Sequence, residues 1–148
     1  EVINTAPLNS AITLLLKLQE KERLAKRLRK ASGGSIESLS HYTIEPVAEK
    51  LAGDYPDVTA KLYQAMGLRI VNAGKSKYYD AAISNFEQAK RYYEEAGLEP
   101  VWLETVEKVM YNHARKHSFM PGFKRVVAGK GPSTEPSFIE RAKTRWRK

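Results

Sequence analysis

Residues 62–114 decide the fold of this chain, and they read LYQAMGLRIVNAGKSKYYDAAISNFEQAKRYYEEAGLEPVWLETVEKVMYNHA. Three amphipathic segments follow one another here, separated by short polar breaks at residues 72–77 and 97–100. Within each segment apolar residues recur every three or four positions, which places them on one face of an α-helix. Gly74 and Gly97 end the first two segments, and Pro100 stands where a first-turn proline is tolerated. The stretch therefore predicts helices joined by short turns into antiparallel hairpins.

Helical spacing continues through the residues that precede this stretch. It predicts one long helix from Pro7 or Leu8 to about Ala31, which the pair Gly33-Gly34 would end. Further helices are predicted at Ile36–Tyr42, from Thr43 to Gly53, and from Tyr55-Pro56 to Ala73; the third segment would end near His117. No segment alternates apolar and polar residues as a half-buried strand would. We predict an all-α fold of about five to seven helices, with residues 1–120 forming a helical-repeat domain.

Residues 121–148 have a different texture. Glycine and proline cluster at Pro121-Gly122 and again in residues 129–136, which is typical of turns and linkers. A basic segment, Phe138–Lys148, closes the chain. We predict a linker followed by a basic helix or tail.

The composition sets limits on the class of protein. The chain has 148 residues, is 42% hydrophobic and contains no cysteine, so it can bury a core without disulfides. This absence fits a reducing compartment, and we expect a cytoplasmic protein. No apolar run approaches the ~18 residues that a membrane span requires. Because the chain begins without Met, we expect it to be a piece of a longer protein.

The net charge of +8 is concentrated at the two flanks of the chain. Residues 17–30 hold seven basic and two acidic residues, and residues 140–148 hold five basic and one acidic. Such clusters attract polyanions through phosphate contacts that do not depend on base sequence. They also occur as solvated helix faces whose long stems cover apolar surface. If nucleic acid is bound, the predicted contacts are Lys21, Arg23, Lys26, Arg27, Arg29, Lys30, Arg141 and Arg145.

The central stretch resembles a tetratricopeptide repeat. The matching positions are Gly67, Ile70 and Gly74 in the first helix and Tyr79, Ala82, Phe86 and Ala89 in the second. The loop is about three residues longer than the pattern allows, and Glu94 stands at the place of the closing proline. The resemblance implies a right-handed α-solenoid-type stack of hairpins. Any helical hairpin can converge on small and aromatic residues at these spacings, so that alternative stays open.

A second resemblance covers residues 74–119. It looks like the helical region that follows the zinc motif in bacterial SWIM zinc-finger proteins, and the matching residues are Tyr79, Ala82, Phe86, Ala89-Lys90-Arg91, Trp102, His113-Ala114-Arg115-Lys116 and Phe119. The cysteine–histidine motif itself is not in this chain. The resemblance therefore implies no metal role for any residue here.

Three patterns that could carry chemistry fail on their spacing. Gly74-Lys75-Ser76 matches the end of a phosphate-binding loop, but Arg69 stands where that loop needs a glycine. His113 and His117 lie four residues apart on one helix, but no spacing supplies the third ligand that zinc requires. The carboxylates of residues 94–107 are spread over helix faces without a shared cleft. We predict no catalytic residue, no cofactor and no metal.

We therefore predict a non-enzymatic helical-repeat module that binds another protein or another part of its own parent chain. The predicted contact surface is a concave face that carries Tyr63, Tyr78, Tyr79 and Tyr92. The alternative is an accessory nucleic-acid-binding domain that uses the basic flanks.

Overall fold

A computed structural model describes residues 5–129, which form eight α-helices and no β-strand. The helices are α1 (Thr5–Lys17), α2 (Lys21–Lys30), α3 (Gly33–Glu37), α4 (His41–Leu51), α5 (Pro56–Ala73), α6 (Tyr79–Glu95), α7 (Glu99–His113) and α8 (Met120–Ala128). A single 3₁₀ turn at Ser76–Tyr78 connects α5 to α6. The all-α class is confirmed. Residues 5–129 alone contain eight helices, which is more than the five to seven predicted.

Local signals place the ends of the central helices. Gly74 and Gly97 adopt the left-handed backbone region, with φ of 75° and 73°, and so end α5 and α6. Pro56 and Pro100 lie in the first turns of α5 and α7. Proline is tolerated there because first-turn N–H groups have no hydrogen-bond acceptor within the helix. The boundaries predicted at these four residues are confirmed.

The predicted single helix before Ala31 is wrong. It breaks at Leu18–Glu20, where Gln19 has a φ of 59°, and α1 turns back onto α2. This turn places Leu8 of α1 and Leu28 of α2 in one buried cluster, whereas a straight helix would hold them about 30 Å apart. Gly33-Gly34 begin α3 instead of ending the preceding helix, because the Ser32 hydroxyl accepts the N–H of Ser35 as an N-terminal cap.

The linker predicted from residue 121 is also wrong over its first residues. Pro121 lies in the first turn of α8 and Gly129, with φ of 86°, ends it. Phe123 is fully buried and Val126 is 6% exposed, so packing against α6 and α7 stabilises this short helix. The linker and basic segment predicted for residues 130–148 lie outside the described residues.

Helices α5 and α6 form the hairpin on which the other helices pack. Gly67 of α5 faces the ring of Phe86, and a Cβ at Gly67 would lie 3.0 Å from two of its ring carbons. Helix α8 approaches α6 in the same way, since a Cβ at Gly122 would lie 3.1 Å from two side-chain carbons of Ile83. Both interfaces depend on a glycine that lets a large side chain reach the backbone.

The buried side chains form two clusters, and α5 contributes to both. The first cluster contains residues of every helix from α1 to α5, among them Leu62 and Met66 of α5. The second joins α5 to α8 and includes Val71 and the aromatic residues Phe86, Phe119 and Phe123. Because α5 supplies both clusters, it fixes the two halves of the fold relative to each other.

Lys61 of α5 closes the C-terminal end of α2. Its Nζ donates to the carbonyl oxygens of Leu28, Arg29 and Ala31 at 3.0, 3.1 and 2.7 Å. The last carbonyls of a helix have no partner within the helix and carry its negative dipole end, so an ammonium group stabilises them. Burial lowers the pKa of Lys61.

Two other basic residues of the central hairpin act on neighbouring helices in the same manner. Arg69 of α5 donates through Nη1 to the carbonyl oxygens of Glu37 and Leu39, where α3 ends. Lys90 of α6 donates to the Val126 carbonyl in the last turn of α8 at 3.1 Å. The cations of α5 and α6 therefore stabilise the C-terminal ends of α2, α3 and α8.

The close approach of α5 and α6 predicts opposite effects for two glycine substitutions. We expect Gly67→Ala to lower the free energy of unfolding by about 1–3 kcal/mol, because the new methyl group would overlap the buried Phe86 ring. Gly34→Ala in α3 meets nothing within 4 Å and is expected to stabilise the protein by up to about 1 kcal/mol. Chemical denaturation of both variants measures the difference. Equal stability of the two would contradict the packing described for Gly67.

The closing role of Lys61 predicts a loss of stability when its charge is removed. We expect Lys61→Met to lower the free energy of unfolding by about 1–2 kcal/mol, because three carbonyl oxygens lose a charged donor. Lys124→Met is the matched control, since Lys124 is an exposed lysine of α8. Urea unfolding of the two variants should separate them, and a Lys61→Met variant as stable as Lys124→Met would refute the role.

Candidate functional site

A groove runs along α5 between α3 and α7. It consists of two cavities of about 390 Å³ each, which share Glu37 of α3, Gln64 and Leu68 of α5, and Val101 of α7. The first cavity opens toward the end of α2, where it also includes Arg29. The second extends along α7 to His113. Helices α4 and α8 contribute no residue to either cavity.

Helical spacing produces the two long sides of this groove. On α5 the lining residues recur every three or four positions, and so do those on α7. The α5 row is Lys61, Gln64, Leu68 and Asn72, and the α7 row is Val101, Thr105, Lys108 and Asn112. Each row mixes an apolar side chain with amides, a hydroxyl or an ammonium group. The groove can therefore offer both hydrogen bonds and apolar contact to the same ligand.

Gln64 stands at the centre of the groove and connects three helices. Its Oε1 accepts hydrogen bonds from Tyr93 Oη of α6 at 2.6 Å and from Thr105 Oγ1 of α7 at 3.0 Å. Burial raises the pKa of Tyr93 to about 12, so its hydroxyl stays protonated as a donor. Both bonds use the amide oxygen, so the amide N–H groups of Gln64 take no part in them.

His113 lies at the end of the groove near the C-terminus of α7, and it is only 8% exposed. Its ring meets Phe119 edge-on, with 6.4 Å between the ring centres. Nδ1 is buried and has no hydrogen-bond partner within residues 5–129. Burial lowers the pKa of His113, and the nearby Lys116 ammonium lowers it further, so the imidazole is neutral at pH 7.

Glu37 lies where the two cavities meet. Burial raises the pKa of its carboxyl group, and a hydrogen bond with Asn72 opposes this rise. Within residues 5–129, no group of three or more His, Asp or Glu side chains could hold a metal ion. The groove thus presents amides, a hydroxyl, a neutral imidazole, the carboxyl groups of Glu37, Asp57 and Glu104, and the cations of Arg29, Lys61 and Lys108, a set suited to binding a polar chain.

The four tyrosines predicted as a contact surface do not form one surface, and none of them lines the groove. Tyr63 and Tyr92 stack, with ring centres 6.0 Å apart and an angle of 5° between the rings. Tyr78 is 48% exposed and lies elsewhere, beside the end of α5. Tyr79 is wrong as a contact residue, because it is 6% exposed and packs edge-on against Phe119 in the core.

The groove is not predicted from the sequence, because the residues that line it on α5 form a mainly polar stripe. Gln64, Leu68 and Asn72 are four residues apart and run beside the apolar stripe of α5. A half-buried polar row at helical spacing indicates a groove only when a neighbouring helix stands opposite it. The sequence does not show that α7 occupies this place.

The basic residues of α2 are partly neutralised by the fold. Lys21 Nζ lies 3.0 Å from an Asp54 carboxylate oxygen, and Arg29 Nε lies 2.7 Å from one of Asp57. The hydrogen bond from Arg29 holds the pKa of Asp57 below its usual range. These two ion pairs join α2 to the start of α5. Of the other predicted nucleic-acid contacts on α2, Arg27 is half-buried, and the exposed ones are Arg23, Lys26 and Lys30.

The predicted contacts Arg141 and Arg145 lie outside the described residues. Among the helices of residues 5–129, none is both long and apolar enough to cross a membrane. Comparison of the chain with protein-family models, with curated proteins and with solved structures gives no match. The resemblances to the tetratricopeptide repeat and to SWIM zinc-finger proteins stay predictions.

Burial of His113 predicts a specific loss of stability in mild acid. Its pKa is lower in the folded chain than in the unfolded chain, so below about pH 6.5 the unfolded state binds the proton first and gains stability. This contribution to folding is complete above about pH 6.5 and is lost as the pH falls toward the folded pKa. We expect His113→Gln to lose less stability than the parent between pH 7.5 and 5.5.

Urea unfolding at the two pH values measures this difference. His117→Gln is the matched control, because His117 is exposed on the turn after α7, and it should follow the parent. If His113→Gln shows the same pH dependence as the parent, His113 is not held neutral by burial.

Proposed function

We propose that this chain is a non-enzymatic protein-interaction module of the helical-repeat type. It binds a peptide segment, from another protein or from its own parent chain, in the groove along α5. The observation that carries the proposal is the groove itself, whose two long sides combine hydrogen-bonding side chains with apolar ones. The absence of cysteine supports a cytoplasmic location.

The order of the helices supports a repeat-like stack. Helices α3, α5 and α7 border the groove, α6 pairs with α5, and α8 packs on α6 and α7. Successive hairpins whose first helices share one face form the binding groove of helical-repeat proteins. This arrangement agrees with the tetratricopeptide resemblance of residues 67–89.

The chemistry of the groove suits an extended peptide. A side-chain amide carries an NH₂ donor group beside a carbonyl acceptor. Asn72 and Asn112 bring such amides to the groove, and Gln64, whose oxygen already accepts from Tyr93 and Thr105, offers its N–H donors. From Gln64 to Asn72 the helix rises about 12 Å, which equals about four residues of an extended chain. Leu68 and Val101 would contact apolar side chains of that peptide.

The described contacts of the groove favour binding over catalysis. The Thr105 hydroxyl lies 3.0 Å from Gln64 Oε1 and 3.1 Å from the Val101 carbonyl oxygen, so its single O–H is directed at structural acceptors. The imidazole Nδ1 of His113 contacts no hydroxyl group. A hydroxyl nucleophile needs a base within hydrogen-bond distance, and this pair is not formed at Thr105 or through His113 Nδ1.

Selection from a phage-displayed library of random 12-residue peptides tests the proposal, followed by fluorescence polarisation of the enriched peptides. We expect Val101→Glu to weaken their binding at least tenfold, because it places a charge among the apolar contacts of the groove. Leu103→Glu is the matched control. It makes the same change at another exposed apolar residue of α7, 56% exposed, that does not line the groove.

Two results would contradict the proposal. One is a library that yields no enriched peptide with the folded chain. The other is a set of peptides that ignore Val101→Glu and lose affinity when Tyr63 or Tyr92 is replaced by Ala. The second result would place the contact surface at Tyr63 and Tyr92 instead of the groove.

A further inference from the structure

A second cleft lies away from the groove, between the start of α4 and the end of α5. Its volume is about 460 Å³. The residues used below are His41, Tyr42, Arg69, Ile70, Lys75 and Tyr78, and together they define the Tyr42–Tyr78 cleft. The cleft shares no lining residue with the groove.

Two tyrosine rings of this cleft project into solvent. Tyr42 is 80% exposed and Tyr78 is 48% exposed. His41 lies against Tyr42, with ring centres 4.1 Å apart, and the Lys77 ammonium lies 5.1 Å from the centre of the Tyr78 ring. Large apolar side chains that the fold leaves at the surface of one cleft indicate a binding surface. Flat aromatic rings of this kind favour a ligand with a flat face of its own.

The charge of the cleft is positive. Arg69 and Lys75 line it, Lys77 stands beside Tyr78, and no Asp or Glu side chain lines it. Hydrogen bonds from Arg69 Nη1 to the carbonyl oxygens of Glu37 and Leu39 hold the guanidinium in place. Its Nε and Nη2 groups take no part in those bonds. In contrast to Lys21 and Arg29 of α2, these cations form no salt bridge with an Asp or Glu side chain within residues 5–129.

We propose that the Tyr42–Tyr78 cleft binds single-stranded nucleic acid. Bases stack on Tyr42 and Tyr78, and the phosphates that connect them contact Lys75, Lys77 and Arg69. Stacking on exposed aromatic side chains beside a positively charged groove is how proteins bind single strands without base-specific contacts. The net charge of +8 adds long-range attraction for a polyanion.

An acidic peptide fits the cleft less well. It would use the cations but would leave the two exposed rings without a planar partner. A paired duplex fits less well too, because its bases are stacked on each other and present no free face to the tyrosines. The site also differs from the basic flanks of the sequence, since it combines unpaired cations with aromatic rings.

Fluorescence polarisation of a labelled 12-nucleotide oligo(dT) tests the proposal with the full chain. We expect binding at about 50 mM salt that weakens strongly at about 200 mM. Tyr42→Ala and Tyr78→Ala should each weaken it about tenfold, as loss of one stacked base predicts, and Tyr42→Phe should retain it. Lys75→Glu should weaken binding and also reduce its salt dependence.

Tyr111→Ala is the matched control for the aromatic variants. Tyr111 is an 87% exposed tyrosine of α7, outside the cleft, and its loss should not change affinity. Arg23→Glu with Lys26→Glu is the control for the basic helix α2. Circular dichroism confirms that each variant is folded, as expected for exposed positions.

Three results would overturn the proposal. The first is no binding of oligo(dT) by the folded parent at protein concentrations up to about 100 µM, the weak end of non-specific affinity. The second is binding that persists in Tyr42→Ala and Tyr78→Ala but is lost in the α2 variant. The third is a 12-residue polyglutamate peptide that binds the parent as tightly as oligo(dT) does and keeps that affinity in both tyrosine variants.

Discussion

The contact of Gly67 with the Phe86 ring sets the distance between α5 and α6, and the rest of the fold depends on it. The ring lies against the α5 backbone because Gly67 has no Cβ, and it also packs edge-on against Phe119 and Phe123. Through Phe123 the same ring positions α8, and through α5 it reaches the cluster that holds α1 to α4. One missing methyl group therefore sets how closely α5 and α6 approach each other.

Hydrogen bonds from cations to helix ends form the second layer of organisation. Lys61, Arg69 and Lys90 each donate to carbonyl oxygens where a neighbouring helix finishes. A helix as short as α3 has little stability of its own, so a fixed donor at its end helps to place it. These cations interact with backbone groups of the same fold. A basic residue in this sequence is therefore weak evidence for an anionic partner until its contacts are known, as the ion pairs of Lys21 and Arg29 illustrate.

The two proposed binding surfaces follow from what this packing leaves open. The groove lies where α7 stands opposite α5 and the Thr105 hydroxyl donates to Gln64 Oε1, an oxygen that also accepts from Tyr93 of α6. The Tyr42–Tyr78 cleft exists because the turn after α5 comes to lie beside the start of α4. The groove is mixed in charge and rich in amides, whereas the cleft is cationic and aromatic, so the two surfaces suit different ligands.

The sequence by itself determined the helical class and the ends of the central helices, because these depend on local backbone preferences. Gly74 and Gly97 can adopt positive φ, and Pro56 and Pro100 fit a first turn, whatever surrounds them. Only the tertiary structure decided the break at Gln19, the helix α8, the burial of Tyr79 and the position of the groove. Each of these depends on which distant side chains come into contact, and periodicity along one helix carries no information about the helix that faces it.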